Sequence, residues 1–204
     1  MQNKPTIIFD LGGVIINTKS DKEWLEEDLL PVFQHDKLDN FFLQNFFKHF
    51  ETGKISGMDF VQKLKAIADD KEISYETITK HWNGILKDIP AERVDLLRRL
   101  KTKYTLILLS NTNVIHLEAI QKYMEQKFGE DILQSNFQAC YYSHQIGLRK
   151  PHKEVYEWVI QKEGLEAANC LYLDDRPENL VEPSKLGMPT LLADRDITLL
   201  LADY

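Results

Sequence analysis

Residues 5–17 read Pro5-Thr-Ile-Ile-Phe-Asp-Leu-Gly-Gly-Val-Ile-Ile-Asn17. The apolar, β-branched run at residues 6–9 is typical of a strand buried on both faces of a parallel sheet. One carboxylate, Asp10, follows it, and then the pair Gly12-Gly13. Open α/β sheets bind ligands outside the carboxyl ends of their strands, which places Asp10 where chemistry occurs. Because Asp also caps turns, this stretch alone leaves a catalytic and a structural interpretation open.

The composition is that of an ordinary globular protein. The chain has 204 residues, of which 43% are apolar and 28% are charged, enough for one large domain or a domain with an insertion. A net charge of −7 without a basic block disfavours a nucleic-acid partner. No stretch approaches the roughly 20 apolar residues of a membrane span, and because the first predicted strand begins at residue 6 we expect no signal peptide. Since Cys140 and Cys170 lack a Cys-x-x-Cys spacing, we expect reduced thiols in a cytoplasmic protein.

Beyond Asn17 the pattern becomes helical. Apolar residues recur at spacings of three and four through residues 20–87, which predicts a small helical bundle inserted after the first strand. Within it lies a stripe of phenylalanines, Phe41, Phe42, Phe46, Phe47 and Phe50. Such a stripe can line a cofactor-binding site, but it more often forms a seam between packed helices. This aromatic surface is compatible with a monomer or a homodimer.

From Pro90 onwards apolar runs alternate with helical patterns. Strands are predicted at residues 104–109, 137–142, 169–173 and 189–193. One helix is predicted to start at Pro90, and three further helices are predicted at residues 115–128, 154–162 and 179–186. This alternation is typical of a parallel sheet covered by helices. We therefore predict an α/β protein with a Rossmann-like, three-layer core of residues 1–17 and 90–204 and a helical cap of residues 18–89. Hinges are expected near residues 17–19 and 88–90.

Polar residues follow four of the apolar runs. They are Asp10, Ser110-Asn111, Arg149-Lys150 before a helix, and Asp174-Asp175. Parallel strands bring their carboxyl ends to one edge, so these groups converge. Such a set can handle a phosphoryl group: Asp10 as nucleophile, carboxylates for Mg²⁺, and Lys150 with Ser110 balancing phosphate oxygens. Taken alone, the pair Asp174-Asp175 is more typical of a helix N-cap than of a metal site.

Four short motifs carry a resemblance to a known family. They are Phe9-Asp-Leu-Gly-Gly-Val, Leu109-Ser-Asn-Thr, Gly147-Leu-Arg-Lys-Pro and Tyr172-Leu-Asp-Asp-Arg-Pro-Glu-Asn. In this order and at these strand ends, they resemble the motifs of the haloacid dehalogenase-like hydrolase superfamily. The insertion of residues 18–89 resembles the helical cap that part of this superfamily carries between its first and second motifs. The Asp-Leu-Gly form of the first motif is similar to that of small sugar-phosphate phosphatases.

The resemblance implies a role for each matching residue. Asp10 would be the nucleophile, and Lys150 would hold nucleophile and phosphate together. Ser110 would bind the phosphate; for Asn111 a turn role and a phosphate-binding role are both open. Mg²⁺ would bind Asp10, the Gly12 carbonyl and Asp175, with Asp174 assisting through water or an outer-sphere contact.

The sequence departs from the resemblance at Gly12. Most phosphatases of the superfamily carry an Asp there as general acid and base, which contributes roughly 10²–10⁴-fold to rate. We predict an Mg²⁺-dependent hydrolase of a small, sugar phosphate-like monoester acting through an aspartyl phosphate. A haloacid dehalogenase and a non-catalytic protein that binds phosphorylated ligands are the alternatives. Asp174-Asp175 favours the phosphatase, because dehalogenases usually lack such a pair. Gly12 implies slower turnover, a substrate with a better leaving group such as an anomeric phosphate, or a substitute acid from the cap or from water.

Overall fold

The computed structural model describes residues 4–38 and 46–204. Its centre is a parallel five-stranded sheet in the order β3-β2-β1-β4-β5. The strands are β1 Thr6–Phe9, β2 Thr105–Ser110, β3 Ala139–Tyr142, β4 Cys170–Asp174 and β5 Thr190–Leu192. The predicted α/β class with a Rossmann-like parallel sheet is confirmed.

Alternation along β1 divides its side chains between the two faces of the sheet. Ile7 and Phe9 join one apolar cluster, and Ile8 joins the cluster on the opposite face. Successive side chains of a strand point to opposite faces, and helices cover both, so all four residues of β1 are buried. The three-layer arrangement follows from this double burial.

Helices fill the intervals between the strands. Before β2 they are α1 Asp21–Trp24, α2 Phe46–Glu51, α3 Gly57–Ile67, α4 Tyr75–Trp82 and α5 Ala91–Lys103, with a π-helical turn Leu25–Leu29 after α1 and a 3₁₀ turn Asn83–Ile85 after α4. Beyond β2 they are α6 Val114–Phe128, α7 Ile132–Asn136, α8 Ser143–Ile146, α9 Lys153–Glu163, α10 Val181–Lys185 and α11 Ile197–Leu200, with 3₁₀ turns Ala167–Asn169 and Pro177–Leu180. Residues 35–38 are also helical. No helix in the described part of the chain is long and apolar enough to cross a membrane.

Helices α1–α4 pack around a separate aromatic cluster. Phe60 is fully buried, and its ring centroid lies 3.8 Å from that of Phe50 and 4.6 Å from that of Trp82. Phe46 and Phe47 pack against the same cluster, so these members of the phenylalanine stripe form a helix–helix seam. Phe41 and Phe42 lie outside the described residues.

The chain enters and leaves this helical region along two adjacent segments. The Asn17 and Asp88 backbones are joined by a 2.8 Å hydrogen bond, and the Lys87 N–H donates to the Asn17 carbonyl at 2.9 Å. Thr18 and Leu86 form an antiparallel bridge. The two segments that connect the helical region to the sheet are therefore hydrogen-bonded to each other at the positions where hinges were predicted.

Two elements start two residues away from the sequence prediction, and other predicted boundaries are shifted by one residue. The strand predicted from Phe137 begins at Ala139, because the Phe137 N–H still bonds the Leu133 carbonyl and closes α7. The helix predicted from Asn179 begins instead as a 3₁₀ turn at Pro177, whose fixed φ suits a first helical position.

Candidate active site

The carboxyl ends of the central strands converge as predicted. The chain runs outward from β1 through β2 to β3 and then returns to β4 on the other side of β1. The strand order therefore reverses between β1 and β4, and open α/β sheets bind ligands at such a switch point. Asp10 follows β1 here, and Asp174 ends β4.

Lys150 lies between these two carboxylates. Its Nζ is 2.7 Å from Asp10 Oδ1 and 2.7 Å from Asp174 Oδ2, and the side chain is 1% exposed. Burial disfavours the charged lysine, but the two carboxylates outweigh burial and raise the pKa of Lys150. The ammonium therefore stays charged and fixes the position of both acids.

Asp174 uses its full hydrogen-bonding capacity within the protein. Oδ2 accepts from Lys150 Nζ at 2.7 Å and Tyr172 OH at 2.6 Å; Oδ1 accepts from the Arg176 N–H and Asn179 Nδ2, both at 2.9 Å. Burial alone raises the pKa of Asp174, but Lys150 and these hydrogen bonds lower it overall. A carboxylate has about four lone-pair sites, so these four hydrogen bonds use all of them. Asp174 therefore serves to position Lys150.

Unlike those of Asp174, the carboxylate oxygens of Asp10 and Asp175 are not fully occupied by hydrogen bonds from the described residues, so they can bind a hard cation. Carboxylate oxygens of Asp10, Asp174 and Asp175 lie within 4.8 Å of one another. Burial raises the pKa of Asp10 to about 7, against the opposing charge of Lys150. Burial also raises the pKa of Asp175, with a further contribution from Asp174. Such clustered, poorly solvated carboxylates fit Mg²⁺, which prefers oxygen ligands and would relieve their repulsion.

The two glycines after Asp10 differ in what surrounds them. Gly13 has φ +72°, and a Cβ built on it would lie 2.2 Å from Asp175 Oδ2. A Cβ on Gly12 would meet only Thr18 Cγ2, at 3.6 Å. Gly13 is therefore required for the close approach of Asp175, whereas Gly12 leaves room for a side chain.

A cavity of about 690 Å³ opens over this edge of the sheet. Asp10, Ser110 and Lys150 line its floor, while the opposite wall comes from the helical region. Apolar side chains of that wall are Trp24, Leu25, Leu29, Phe47, Ile85 and Leu86. Trp24 donates its indole N–H to the His81 carbonyl at 3.3 Å. The floor is therefore polar and the opposite wall largely apolar.

Arg149, which precedes Lys150 in the third motif, also lines this cavity. Its Nη2 is 2.9 Å from Glu51 Oε2, and the Glu51 side chain is only 9% exposed. Glu51 ends α2, so the pair joins the helical region to the segment that carries Lys150. The sequence did not reveal this contact, because periodicity alone does not orient a six-residue helix.

Ser110 and Asn111 lie where the second motif was expected to act. Ser110 is 3% exposed and lines the cavity. The Asn111 side chain donates to the Lys150 carbonyl and accepts from the Lys150 N–H, both at 2.9 Å. Asn111 thus holds the Lys150 backbone in place; a direct contact with phosphate stays a prediction for both residues.

Most of the chain matches the model of one protein family. Residues 4–181 match the model for haloacid dehalogenase-like hydrolases. The chain belongs to this family. The four motifs named from the sequence all lie inside the matched range and at the same edge of the sheet.

Two curated relatives align with nearly the whole of this haloacid dehalogenase-like hydrolase. D-ribitol-5-phosphate phosphatase of Bacteroides thetaiotaomicron is 27% identical over 185 residues, covering 90% of this chain and 89% of that protein. Sesquiterpene phosphatase astK of Aspergillus oryzae is 26% identical over 183 residues, covering 89% and 85%. A crystal structure of a HAD family enzyme from B. thetaiotaomicron, in complex with magnesium and inorganic phosphate, has TM-score 0.81 and 27% identity, covering 97% and 99%.

Two supporting residues illustrate what sequence reasoning found and missed. Asn179 ends the fourth motif named from the sequence, and its side-chain amide donates to Asp174 Oδ1. Tyr172 was not singled out, although it stands two residues before Asp174 on β4. Residues two apart on a strand share a face, so this spacing was the available signal for the Tyr172–Asp174 hydrogen bond.

Proposed function

We propose that the chain hydrolyses small phosphate monoesters, with Asp10 as the nucleophile. The observation that carries this proposal is Lys150, held 2.7 Å from both Asp10 and Asp174 at the switch point of the sheet. The lysine keeps Asp10 in place and offers positive charge beside the phosphoryl oxygens. Both curated relatives are named phosphatases, which favours this reaction over the dehalogenase alternative.

In the proposed reaction Asp10 Oδ attacks phosphorus as the bond to the alcohol oxygen breaks. The resulting aspartyl phosphate is then hydrolysed by water, which restores the carboxylate. Asp10, the Gly12 carbonyl and Asp175 would bind Mg²⁺, with Asp174 in an outer position because its own lone pairs are occupied. When bound, Mg²⁺ supplies charge neutralisation between the anionic substrate and the carboxylates.

We propose that the helical region of residues 18–89 is a cap on a core of residues 1–17 and 90–204. The separate aromatic cluster of α1–α4 and the paired crossings at Asn17 and Asp88 support this division. The cap closes one side of the cavity and would exclude water during phosphoryl transfer.

The alcohol portion of the substrate contacts the cap wall. We propose a sugar or polyol phosphate as the first candidate, because the ribitol-5-phosphate enzyme aligns with nearly the whole chain. A terpenoid phosphate is the second candidate, since the rings and aliphatic side chains of the cap wall suit an apolar alcohol. Comparing kcat/KM for ribitol 5-phosphate and farnesyl phosphate distinguishes the two.

The reaction is tested with p-nitrophenyl phosphate. Wild-type protein should release nitrophenolate with Mg²⁺, lose that activity in EDTA, and regain it when Mg²⁺ is restored. Asp10→Asn should lower turnover by at least about 10⁴-fold, as expected for a lost nucleophile. Equal rates for the variant and the wild type, or full activity in EDTA, would refute the proposed chemistry.

A further inference from the structure

Gly12 leaves the departing alcohol without a side-chain acid beside it. In phosphoryl transfer the attacking and leaving oxygens are roughly in line with phosphorus. If Asp10 attacks from the floor of the cavity, the leaving oxygen therefore faces the cap. The inference drawn from this geometry rests on the phosphatase function proposed above.

The carboxyl groups around the cavity differ in their surroundings. Among the described residues these groups are Asp10, Asp21, Glu51, Asp175 and Glu178. Asp10 and Asp175 belong to the cation site, and Asp21 and Glu178 are exposed to solvent. Glu51 is 7% exposed and enters from the cap. It is the buried carboxyl group of this set that lies outside the cation site.

Two buried polar atoms of the Glu51–Arg149 pair have unused hydrogen-bonding capacity. Glu51 Oε2 and Arg149 Nε lack a hydrogen-bond partner in the described part of the chain, although Oε2 lies 2.9 Å from Arg149 Nη2. Buried polar atoms without partners are costly, and each calls for an explanation such as a catalytic role or a bound group that completes the bonding. Both residues line the cavity above Asp10, so a substrate oxygen there can provide the missing contact.

The local charges still allow Glu51 to carry a proton. Burial raises its pKa, while the facing cations Arg149, Arg176 and Lys150 oppose that shift without cancelling it. The cavity histidine, His116, offers no equivalent: burial lowers its pKa to about 3. Its Nδ1 also lies 2.7 Å from Asn83 Oδ1, so the ring is held neutral against the cap.

We propose that Glu51 is the general acid that protonates the leaving alcohol in place of the side chain absent at Gly12. As the Asp10–phosphorus bond forms and the phosphorus–alkoxide bond breaks, the Glu51 proton passes to the alkoxide oxygen. The alcohol leaves, and Glu51 is a carboxylate. When water attacks the aspartyl phosphate, its proton returns to Glu51 as Asp10 and inorganic phosphate are released. Arg149 is a positioning residue that holds Glu51 over the site.

Leaving-group dependence tests this role, because only a poor leaving group needs the proton. Glu51→Gln should lower turnover of an alkyl phosphate such as ribitol 5-phosphate by about 10²–10⁴-fold. The same variant should change kcat/KM for p-nitrophenyl phosphate by less than about tenfold, since kcat/KM reports formation of the aspartyl phosphate and nitrophenolate departs unprotonated. A plot of log kcat/KM against leaving-group pKa should therefore be steeper for the variant. An unchanged slope would overturn the proposal, whether both substrates slow equally or neither does.

A second substitution tests the same role without removing a buried group. Gly12 has space for a side chain, so Gly12→Asp in the Glu51→Gln background should restore alkyl phosphate turnover at least tenfold, because it returns an acid near the leaving oxygen. If Gly12→Asp restores no alkyl phosphate turnover, and Glu51→Gln slows p-nitrophenyl phosphate hydrolysis to the same extent, then Glu51 has a structural role and is not the general acid.

The exposed cap residue Glu76 provides the matched control. Glu76→Gln makes the same side-chain exchange at an exposed position of the cap and should leave both rates unchanged. Circular dichroism of each variant reports whether it is folded. A wild-type protein inactive on every monoester would instead refute the underlying phosphatase function, which is a different outcome from failure of the Glu51 proposal.

Discussion

The two walls of the cavity are held by different forces. At the sheet edge, Lys150 is buried between Asp10 and Asp174, and Asp174 accepts four hydrogen bonds. Across the cavity, the cap wall rests on stacked and edge-on rings around Phe60 and Trp82. The Glu51–Arg149 ion pair joins the two walls. A change in one member of the polar network leaves others unpaired, whereas apolar packing tolerates volume-conserving exchange.

This difference explains how a single fold keeps its chemistry while its substrate varies. The positions of Asp10 and Lys150 are set by strands and by hydrogen bonds that have few alternatives. The cap wall is set mainly by volume and shape. We therefore expect substitutions at the sheet edge to change turnover, and substitutions in the apolar packing of the cap to change stability or KM.

The largest effect is expected from Lys150→Met. The substitution leaves two buried carboxylates facing each other, and breaking one partner of a buried ion pair costs about 3–5 kcal/mol of unfolding free energy. Turnover of p-nitrophenyl phosphate should fall by at least about 10³-fold, because charge stabilisation at the phosphoryl group is lost. Urea denaturation and steady-state kinetics measure the two effects.

The matched control for Lys150 is Lys153→Met. Lys153 is exposed and pairs with Glu157 at 2.6 Å on α9. Such surface pairs contribute about 0–1 kcal/mol, so stability and turnover should both stay close to wild type. If Lys150→Met behaved like this control, the polar network would not be the rigid element described above.

A cap substitution should reverse that pattern. Phe60→Ala removes a fully buried ring and should cost about 3–5 kcal/mol of unfolding free energy. Because Phe60 contacts the aromatic cluster and not the sheet edge, the folded variant should keep kcat on p-nitrophenyl phosphate within about tenfold. Met58→Ala on the same helix is the control, since Met58 is 58% exposed. A loss of kcat comparable to that of Lys150→Met would mean that the two walls are not independent.

The smallest effect concerns the neighbouring glycines at the sheet edge. Gly13→Ala forces a Cβ against Asp175 and should weaken Mg²⁺ binding about 10–100-fold, as displaced supporting groups do in metal sites. Gly12→Ala meets only Thr18 and should leave Mg²⁺ affinity nearly unchanged. Isothermal titration with Mg²⁺ measures both. Equal affinities for the two variants would remove Asp175 from the proposed cation site.

The sheet edge was largely predictable from the sequence, for a physical reason. Parallel strands align their carboxyl ends, so Asp10, Ser110 and Asp174 had to meet once their strands were recognised. Lys150 was included because it begins the segment leading into α9. The strand pattern did not show the division of roles between Asp174 and Asp175, which only the resemblance to the family implied. That division depends on which oxygens the Tyr172 and Asn179 side chains reach.

The cap was predictable only as a set of helices. Spacings of three and four identified the Phe46–Phe50 seam, but they did not say which face of α2 meets the core. The spacings therefore did not show that Arg149 pairs with Glu51 inside the cavity. Contacts between separate elements depend on packing angles that a one-dimensional pattern does not contain. For this reason the residues proposed to contact the leaving group emerged from the structure.

The most direct test of the account is to trap the acyl phosphate on Asp10. Wild-type protein is mixed with Mg²⁺ and p-nitrophenyl phosphate, reduced with borohydride during turnover, digested and analysed by mass spectrometry. Borohydride reduces an aspartyl phosphate to homoserine, so we predict homoserine at position 10, dependent on substrate. Homoserine at another position, or unmodified Asp10 while nitrophenolate is released and a known aspartyl-phosphate enzyme is trapped in parallel, would contradict the central claim.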